Sequence, residues 1–388
     1  MLAAISSAPI SALDSGPVES LGLASSTGSG TATGGLTTAL PLGGSCTAAG
    51  STTGFFGPDC PGLVYFDGWE DYSTLADYWS PNAYTDISSA AARTGSYGLR
   101  IWTRQGNPRL TGYFLSTTTM VAGLAYRSVT LPGATRTILV FHLSGTTQTD
   151  VRISTGGILS VTRNGTTLAT GSLALVANRW YYLEFKTLCH GSAGAFELRI
   201  NGVAEVSGTG VNTQGAGSAT MNGVSLFDTA ENQNEQHMDD FYLMDGSVPG
   251  AAFLGSCHVG SLLPTGAGDL TQWTPSAGSN YQNVQDAAPD GDTDYNETGV
   301  SGYTDLFTLG TLPTDSVVVG LAAIMNHCAS DAGPVQLYTA VKVDGVIETS
   351  AAGRTNVGYR STFSVFESKS RSWSAAVVNA LQLGYKIV

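Results

Sequence analysis

The chain has 388 residues, enough for two sizeable hydrophobic cores, and 42% of them are hydrophobic, as expected of a soluble globular protein. Only 12% are charged and 49 are glycine, which is typical of β-sandwich modules with many tight turns and of extracellular or virion proteins. The formal net charge of −13 opposes binding to phosphate backbones and anionic lipid, so we expect neither nucleic acid nor a membrane as partner.

Residues 1–62 differ in composition from the rest of the chain. They are mostly Gly, Ser, Thr and Ala, and their only charged side chains are Asp14, Glu19 and Asp59. Such a segment buries too little apolar surface to offset the entropy of ordering it. We therefore expect an extended low-complexity arm that adds to another subunit by strand addition, with wrapping around its own domain as the alternative.

The cysteines and the basic residues do not indicate a disulfide-bonded or exported protein. Cys46 and Cys60 could close a small loop in the arm under oxidising conditions, and the sequence leaves this open. Together with Cys189, Cys257 and Cys328 they are odd in number and lack CxxC spacing, so they predict neither a disulfide framework nor a zinc site. No Lys or Arg precedes Arg93, so export through a signal with a positive n-region is not expected.

A first folded domain is predicted at residues 63–248. Its expected strands are Val64–Asp67, Leu99–Ile101, Gly112–Leu115, Leu124–Val129, Thr137–Leu143, Val151–Ser154, Ile158–Arg163, Val224–Phe227 and Met238–Met244. Asn164-Gly165 is expected at a hairpin tip. No amphipathic helix interrupts the series, which favours a two-sheet sandwich.

The clearest pattern in this domain runs from residue 179 to residue 206. Two strands with a period of two are followed by Asn201-Gly202, which suits a type I′ hairpin, and by a third strand at Val203–Val206. The predicted core side chains of the first two strands are Tyr181, Leu183, Phe185, Phe196, Leu198 and Ile200.

Trp180-x-x-Leu183-Glu184, a polar loop and FELRINGV at residues 196–203 resemble the laminin G or concanavalin A-like lectin/glucanase domain. The resemblance implies a jelly-roll sandwich. It implies no single activity, because that fold hosts lectins, hydrolases and purely structural modules.

A second domain is predicted at residues 249–388. Segments that include Phe253-Leu254-Gly255, Trp273-Thr274-Pro275-Ser276 and Trp373–Val388 resemble a module of minor structural and tail proteins of tailed bacteriophages, which commonly follows a laminin G-like domain. The sequence departs from that module at Ser256 and His258, where the family carries an acidic-basic pair. Expected strands at Ser316–Met325, Val335–Val343 and Gly358–Phe366, with Asp344-Gly345 as a turn, predict a second β-sandwich.

No catalytic constellation is predicted. Glycosidases of the concanavalin A-like fold place Glu-x-Asp-x-x-Glu on one strand so that two carboxylates share a face. The segment that comes nearest to this pattern, Glu231 to Glu235, is expected in a loop. Asp239-Asp240 is expected at a strand start without a partner carboxylate. Serine-elbow, Walker and zinc-protease motifs are absent from the sequence, so we expect a protein that is not an enzyme.

Metal and cofactor sites are not predicted either. Asp290-Gly-Asp292-Thr-Asp294 has alternating carboxylates but lacks the glycine and the distal glutamate of a calcium hand, which favours a solvated turn. The histidines His142, His190, His237, His258 and His327 are dispersed.

Four aromatic residues, Trp69, Trp79, Trp102 and Tyr113, could form a platform for stacking sugars. Each is expected in the core instead.

The two resemblances together imply a non-enzymatic structural component of a tailed-phage virion, in the tail, the fibre or the capsid surface. We expect it to contact other virion proteins through residues 1–62 and to form a homo-oligomer. The alternative is a receptor-binding module that holds host-surface glycan, and polysaccharide cleavage is the third candidate.

Overall fold

A computed structural model describes residues 3–7, 10–14, 61–71, 74–81, 84–102, 109–112, 116–215, 217–227, 234–286, 292–329, 336–349, 353–354, 360–366 and 373–388. Within these ranges the chain is almost entirely β-structure, which confirms the all-β class. The single α-helix there, α1, is Ala375–Ala380, and short 3-10 turns lie at Leu75–Asp77, Ser89–Ala91 and Gln282–Val284.

In the described ranges, no helix has the length and apolar character needed to cross a bilayer.

The strands before residue 250 are β1 Ala3–Ser7, β2 Ile10–Asp14, β3 Leu63–Asp67, β4 Ser80–Pro81, β5 Thr85–Ser88, β6 Gly98–Trp102, β7 Arg109–Gly112, β8 Thr119–Ser128, β9 Arg136–Leu143, β10 Thr146–Ile153, β11 Ile158–Arg163, β12 Thr166–Ala174, β13 Tyr181–Leu188, β14 Gly194–Ile200, β15 Val203–Val211, β16 Gly223–Phe227 and β17 Glu235–Asp245. The strands after it are β18 His258–Leu262, β19 Pro264–Thr271, β20 Thr274–Pro275, β21 Asn296–Thr298, β22 Thr304–Leu309, β23 Val318–Ala329, β24 Gln336–Val343, β25 Val346–Thr349, β26 Gly353–Arg354, β27 Arg360–Val365 and β28 Gln382–Ile387.

The first sandwich consists of two antiparallel sheets. Sheet I has the order β12-β11-β10-β9-β16-β7-β4, and sheet II has the order β15-β14-β13-β8-β17-β6-β5 with β3 also paired to β17. All six predicted core side chains of β13 and β14 are buried between the sheets, which confirms the predicted register. Phe185 of sheet II stacks on Phe141 of sheet I with ring centroids 5.1 Å apart.

The two-residue hairpins follow from residues that tolerate a left-handed backbone. Asn201-Gly202 has φ values of 51° and 79°, and Asn164-Gly165 and Asp344-Gly345 are alike, as the sequence predicted. Ser144-Gly145, with φ values of 47° and 86°, joins β9 to β10 and was not predicted. Serine is less common than Asn or Asp at such a position, so the signal was weaker.

The second sandwich also has two sheets. One has the order β18-β2-β23-β1-β21-β20, with β27 on the other edge of β23, and the other has the order β19-β22-β28-β24-β25, with β26 paired to β24. Leu321, Val341 and Leu383 belong to one core cluster, and Trp273 and Tyr385 belong to a second. The predicted strands of this domain are present, and α1 is an addition, capped by Ser374 Oγ accepting from Val377 N at 3.2 Å.

Residues 3–7 and 10–14 form β1 and β2, which lie inside the first of these two sheets. They therefore pair with the second sandwich of the same chain, which was the lesser alternative in the sequence analysis. Residues 15–60, including Cys46 and Cys60, lie outside the described residues. Docking of residues 1–62 on other virion proteins stays a prediction.

The two sandwiches share an apolar interface on the outer face of sheet II. Tyr182 and Tyr242 from that face pack in one cluster with Val259 and Ala322 from the second sandwich. Phe363 of β27 also contacts the first sandwich, since its ring centroid lies 4.7 Å from that of Tyr65 and 5.6 Å from that of Phe66. None of the residues of this cluster lies on β5 or β6 of sheet II.

Candidate functional site

Four polar side chains form a line across the outer face of sheet II. Asp86 on β5 pairs with Arg100 on β6, Arg100 pairs with His237 on β17, and His237 pairs with Arg127 on β8. Directly paired residues of antiparallel strands project from the same face, so the four side chains are neighbours. We call Asp86, Arg100, His237 and Arg127 the charged row.

The period of each strand explains why these side chains point outward. Leu99 and Ile101 flank Arg100 and are buried in the core, as are Tyr126 before Arg127 and Met238 after His237. Because alternate residues of a strand face opposite sides, burial of these apolar neighbours leaves the row on the outer face.

Arg100 and Asp86 form a bidentate ion pair. Arg100 Nε donates to Asp86 Oδ1 at 2.9 Å, and Nη2 donates to Oδ2 at 2.5 Å. The hydrogen bonds to Asp86 raise the pKa of Arg100. The guanidinium also lies over the ring of Trp102 at 5.3 Å, so its plane is fixed from two sides.

His237 connects Arg127 to Glu235. Arg127 Nε donates to His237 Nδ1 at 3.2 Å, and His237 Nε2 lies 2.6 Å from Glu235 Oε1. An acceptor role for Nδ1 places the proton of the neutral imidazole on Nε2, from which it is donated to Glu235. Burial lowers the pKa of His237, with the Glu235 hydrogen bond opposing the shift.

Aromatic rings flank the row at both ends. The Arg127 guanidinium lies 4.7 Å from the centre of the Trp180 ring, and Tyr84 meets Trp102 edge-on at 5.8 Å. Trp102, Trp180 and Tyr84 are all half-buried, so part of each ring faces solvent. Burial lowers the pKa of Arg127, which has no ion pair with any residue that the structure describes.

This arrangement presents fixed planar groups rather than a reactive one. Both nitrogens of His237 are engaged, and Asp86 and Glu235 each hold a partner in or beside the row. The positive charges of Arg100 and Arg127 are balanced by the negative charges of Asp86 and of Glu235 beside the row. The row can therefore offer several oriented donors and acceptors, next to apolar ring faces, to a polar ligand.

Four residues named in the sequence analysis, Trp102, Trp180, Glu235 and His237, lie in or beside this site, and Glu235 begins β17 instead of lying in the expected loop. Trp69 and Trp79 are buried in the core, as expected, with Trp79 Nε1 donating to Asp67 at 2.8 Å. Trp102 is half-buried beside the row, so the expectation of a core position is wrong for it. Tyr113 lies outside the described residues.

Asp239 and Asp240 do not lie at a strand start, as the sequence suggested, but in the middle of β17, where its register with β8 shifts. Asp239 accepts from the backbone N–H of Arg93 at 2.6 Å, and Asp240 accepts from Arg93 Nη1 and from Val259 N at 2.8 Å each. Burial raises the pKa of both carboxyls. Asp240 connects β17 to the second sandwich through Val259. Glu231, from the preceding acidic segment, lies outside the described residues.

The acidic residues and histidines that the sequence analysis weighed as metal ligands lie apart from one another where the structure describes them. In the described part of the chain, no three His, Cys, Asp or Glu side chains come together in a way that could hold an ion. Asp290 lies outside that part, and Asp292 is exposed. His142, His258 and His327 lie on three different strands, apart from the row.

Arg100, Arg127, His237 and Asp86 were missed by sequence reasoning. The available signal was local: a charged or imidazole side chain at an outward position of an alternating strand, as in Leu99-Arg100-Ile101-Trp102. Alternation gives the face of each residue, but the pairing that aligns the four strands is not contained in it.

No protein-family model matches this sequence, and no curated protein matches it. Similar solved structures include a sialidase, 9% identical, with a TM-score of 0.38, over 49% of this chain and 19% of that chain. An alginate lyase is 11% identical, with a TM-score of 0.37, over 48% of this chain and 98% of that chain. A carbohydrate esterase from a Shiga toxin-encoding bacteriophage is 13% identical, with a TM-score of 0.33, over 45% of this chain and 93% of that chain.

These likenesses concern the β-sandwich fold alone, and this chain spans only about a fifth of the length of that sialidase. The neighbours are named for enzymes that act on carbohydrates, which contradicts the expectation that the chain is not an enzyme. At these identities and TM-scores, no catalytic residue or substrate of theirs is carried over to this chain.

Proposed function

We propose that this chain is a carbohydrate-binding β-sandwich protein of a tailed-phage particle, and that the charged row holds saccharide of the host surface. The observation that carries the proposal is the row itself: Asp86, Arg100, His237 and Arg127 aligned on four strands, with half-buried Trp102 and Trp180 beside them.

The chemistry of the row suits a polyhydroxylated ligand. Sugar hydroxyls pair well with planar groups that donate or accept at two points, and the C–H faces of sugar rings pack on aromatic rings. Stacking on Trp102 and Trp180 holds both guanidiniums in place before a ligand arrives, which reduces the entropy lost on binding. The balanced charge favours neutral or weakly acidic saccharides.

The phage placement has separate support. It comes from the order of the two sequence resemblances, a laminin G-like domain followed by a module of phage structural proteins. The low share of charged residues agrees with it.

A glycan array with the full chain tests saccharide binding, followed by titration calorimetry on each ligand found. Trp102→Ala and Arg127→Ala should each weaken binding at least about tenfold, or about 1.4 kcal/mol. Tyr303→Ala and Arg163→Ala remove an exposed aromatic and a half-buried arginine away from the row and should bind as the parent does. Unchanged affinity in both row variants would reject this site.

Two further measurements separate the parts of the proposal. Incubating the chain with each bound saccharide, and assaying for new chain ends or released acyl groups, shows whether it also cleaves what it holds. Antibody labelling of purified particles tests the phage placement. A protein that binds saccharide but is absent from particles would overturn the placement alone.

A further inference from the structure

Residues 3–7 and 10–14 fill a gap inside a sheet. β2 lies between β18 and β23, and β1 lies between β21 and β23. Both strands follow the same edge of β23, β2 along its first half and β1 along its last. We call the gap between β23 on one side and β18 and β21 on the other the strand slot.

The registers show how completely the slot is filled. Ile10–Asp14 pair with residues 318–323 on one side and with residues 258–262 on the other. Ala3–Ile5 pair with residues 327–329 and with residues 296–298. Without residues 3–14, three strands would present unpaired N–H and C=O groups to one another across the slot, and open edges of this kind capture other strands.

Recognition in the slot is by main chain. The inserted sequences, AAISS and ISALD, consist mostly of alanine and serine and contain one charged residue, Asp14. Main-chain pairing of this kind is identical whichever copy of the chain supplies the strand. Exchange between copies therefore loses no contact in the slot.

The connection to the rest of the chain allows such an exchange. Residues 15–60 separate β2 from the first sandwich, and a segment of that length spans at most about 150 Å. A domain of the size of either sandwich has a radius of gyration of only about 15 Å. The sheet of a neighbouring copy is therefore within reach of residues 3–14.

We propose that the strand slot is filled by residues 3–14 of a second copy, so that the chain assembles as a strand-exchanged homo-oligomer. The effective concentration of a chain's own residues 3–14 at its own slot is in the millimolar range at most, and it falls as the connecting segment becomes longer. When two copies are held side by side, the strands of the neighbouring copy reach the same effective concentration at the slot. Each exchange then joins two chains without a new interface. This proposal does not depend on saccharide binding.

Ala4 provides the test, because its cross-strand partner in the slot is Cys328. One copy carries Ala4→Cys with Cys328→Ser, and the other keeps Ala4 and Cys328. Both carry Cys46→Ser and Cys60→Ser, while Cys189 and Cys257 are buried. A disulfide between these two full-length chains, co-expressed and oxidised, requires residue 4 of one copy to lie in the slot of the other.

The expected result is a covalent heterodimer on non-reducing gels, and a mass above that of the monomer by light scattering. The single chain with Ala4→Cys and native Cys328 controls the geometry of the pair. Ser11→Cys with Ser261→Cys, also cross-strand partners, provides a second position. A disulfide that forms only within single chains, or a monomeric mass at all concentrations, would overturn the proposal.

Discussion

Phe185 provides the residue-scale test of the first core. Its ring is buried and stacks on Phe141 of the opposite sheet at 5.1 Å. Phe185→Ala should lower the free energy of unfolding by about 3 to 5 kcal/mol, measured by urea denaturation. Lys186→Ala, on the opposite face of the same strand, should change it by less than about 0.5 kcal/mol. An unchanged midpoint for Phe185→Ala would mean that β13 is shifted by one residue.

Glu184 is a buried carboxyl between the two sandwiches. Its Oε1 accepts from Tyr242 Oη at 2.6 Å and from Gly255 N at 2.8 Å, while Oε2 is buried without a hydrogen-bond partner in the described chain. Burial raises the pKa of Glu184, so the folded chain holds this proton more tightly than the unfolded chain does. Stability is therefore lost as the pH rises from the unfolded value of about 4.3 through the raised pKa.

Glu184→Gln should reduce that loss. The glutamine keeps an oxygen for both hydrogen bonds and does not titrate, so the variant should lose less stability than the parent as the pH rises above the unfolded pKa of about 4.3. Asp239 and Asp240, whose pKa values are also raised, are the same in both chains. Urea denaturation at several pH values measures the difference, with Glu197→Gln as control. Parallel profiles for parent and Glu184→Gln would show that Glu184 does not contribute.

At the scale of elements, two glycines serve different purposes. Gly202 has φ 79° at a hairpin tip, and a Cβ there would meet no atom within 4 Å. Gly123 lies on β8 against the ring of Tyr242, which a Cβ would overlap. Gly202→Ala should cost about 1 to 2 kcal/mol through backbone strain alone.

Gly123→Ala should cost more than Gly202→Ala, because the ring of Tyr242 has to move away from its hydrogen bond with Glu184. Chemical denaturation of the two single variants compares them directly. A smaller loss for Gly123→Ala would mean that the contact between β8 and Tyr242 is loose.

The same elements show what the sequence could predict. Asn-Gly and Asp-Gly pairs determine their turns locally, and the period of two places Phe185 and Leu198 inside, so hairpins and core faces were predictable. The register shift of β17 at Asp239 was not, because a bulge depends on the partner strand. The charged row was not predictable either, since Arg100, His237 and Arg127 meet only through the pairing of strands distant in sequence.

At the scale of the whole molecule, the two sandwiches are coupled through Phe363. Its ring lies against Tyr65 and Phe66 of the first sandwich, so unfolding of either domain exposes the same apolar surface. The parent should therefore unfold in a single calorimetric transition. Phe363→Ala should separate it into two transitions, since it removes aromatic contacts that join the two sandwiches.

Phe366→Ala is the matched control for this experiment. Phe366 packs on the core of the second sandwich itself, so its loss should lower that domain's stability and leave the interface in place. Two transitions in the parent chain, or a single transition in Phe363→Ala, would show that the interface contributes little to the cooperativity of unfolding.

The position of β1 and β2 beside β23 has a consequence for synthesis. Residues 3–14 leave the ribosome roughly 300 residues before β23, which at about 5 to 20 residues per second is about 15 to 60 seconds. In that interval every strand of the first sandwich is made, while β1 and β2 wait for the strand that completes their sheet. On a messenger RNA that several ribosomes translate at once, β1 and β2 of one chain lie close to the newly formed slot of another. If strands are exchanged as proposed above, the copy that fills each slot is therefore selected during translation, before the finished protein is released into solution.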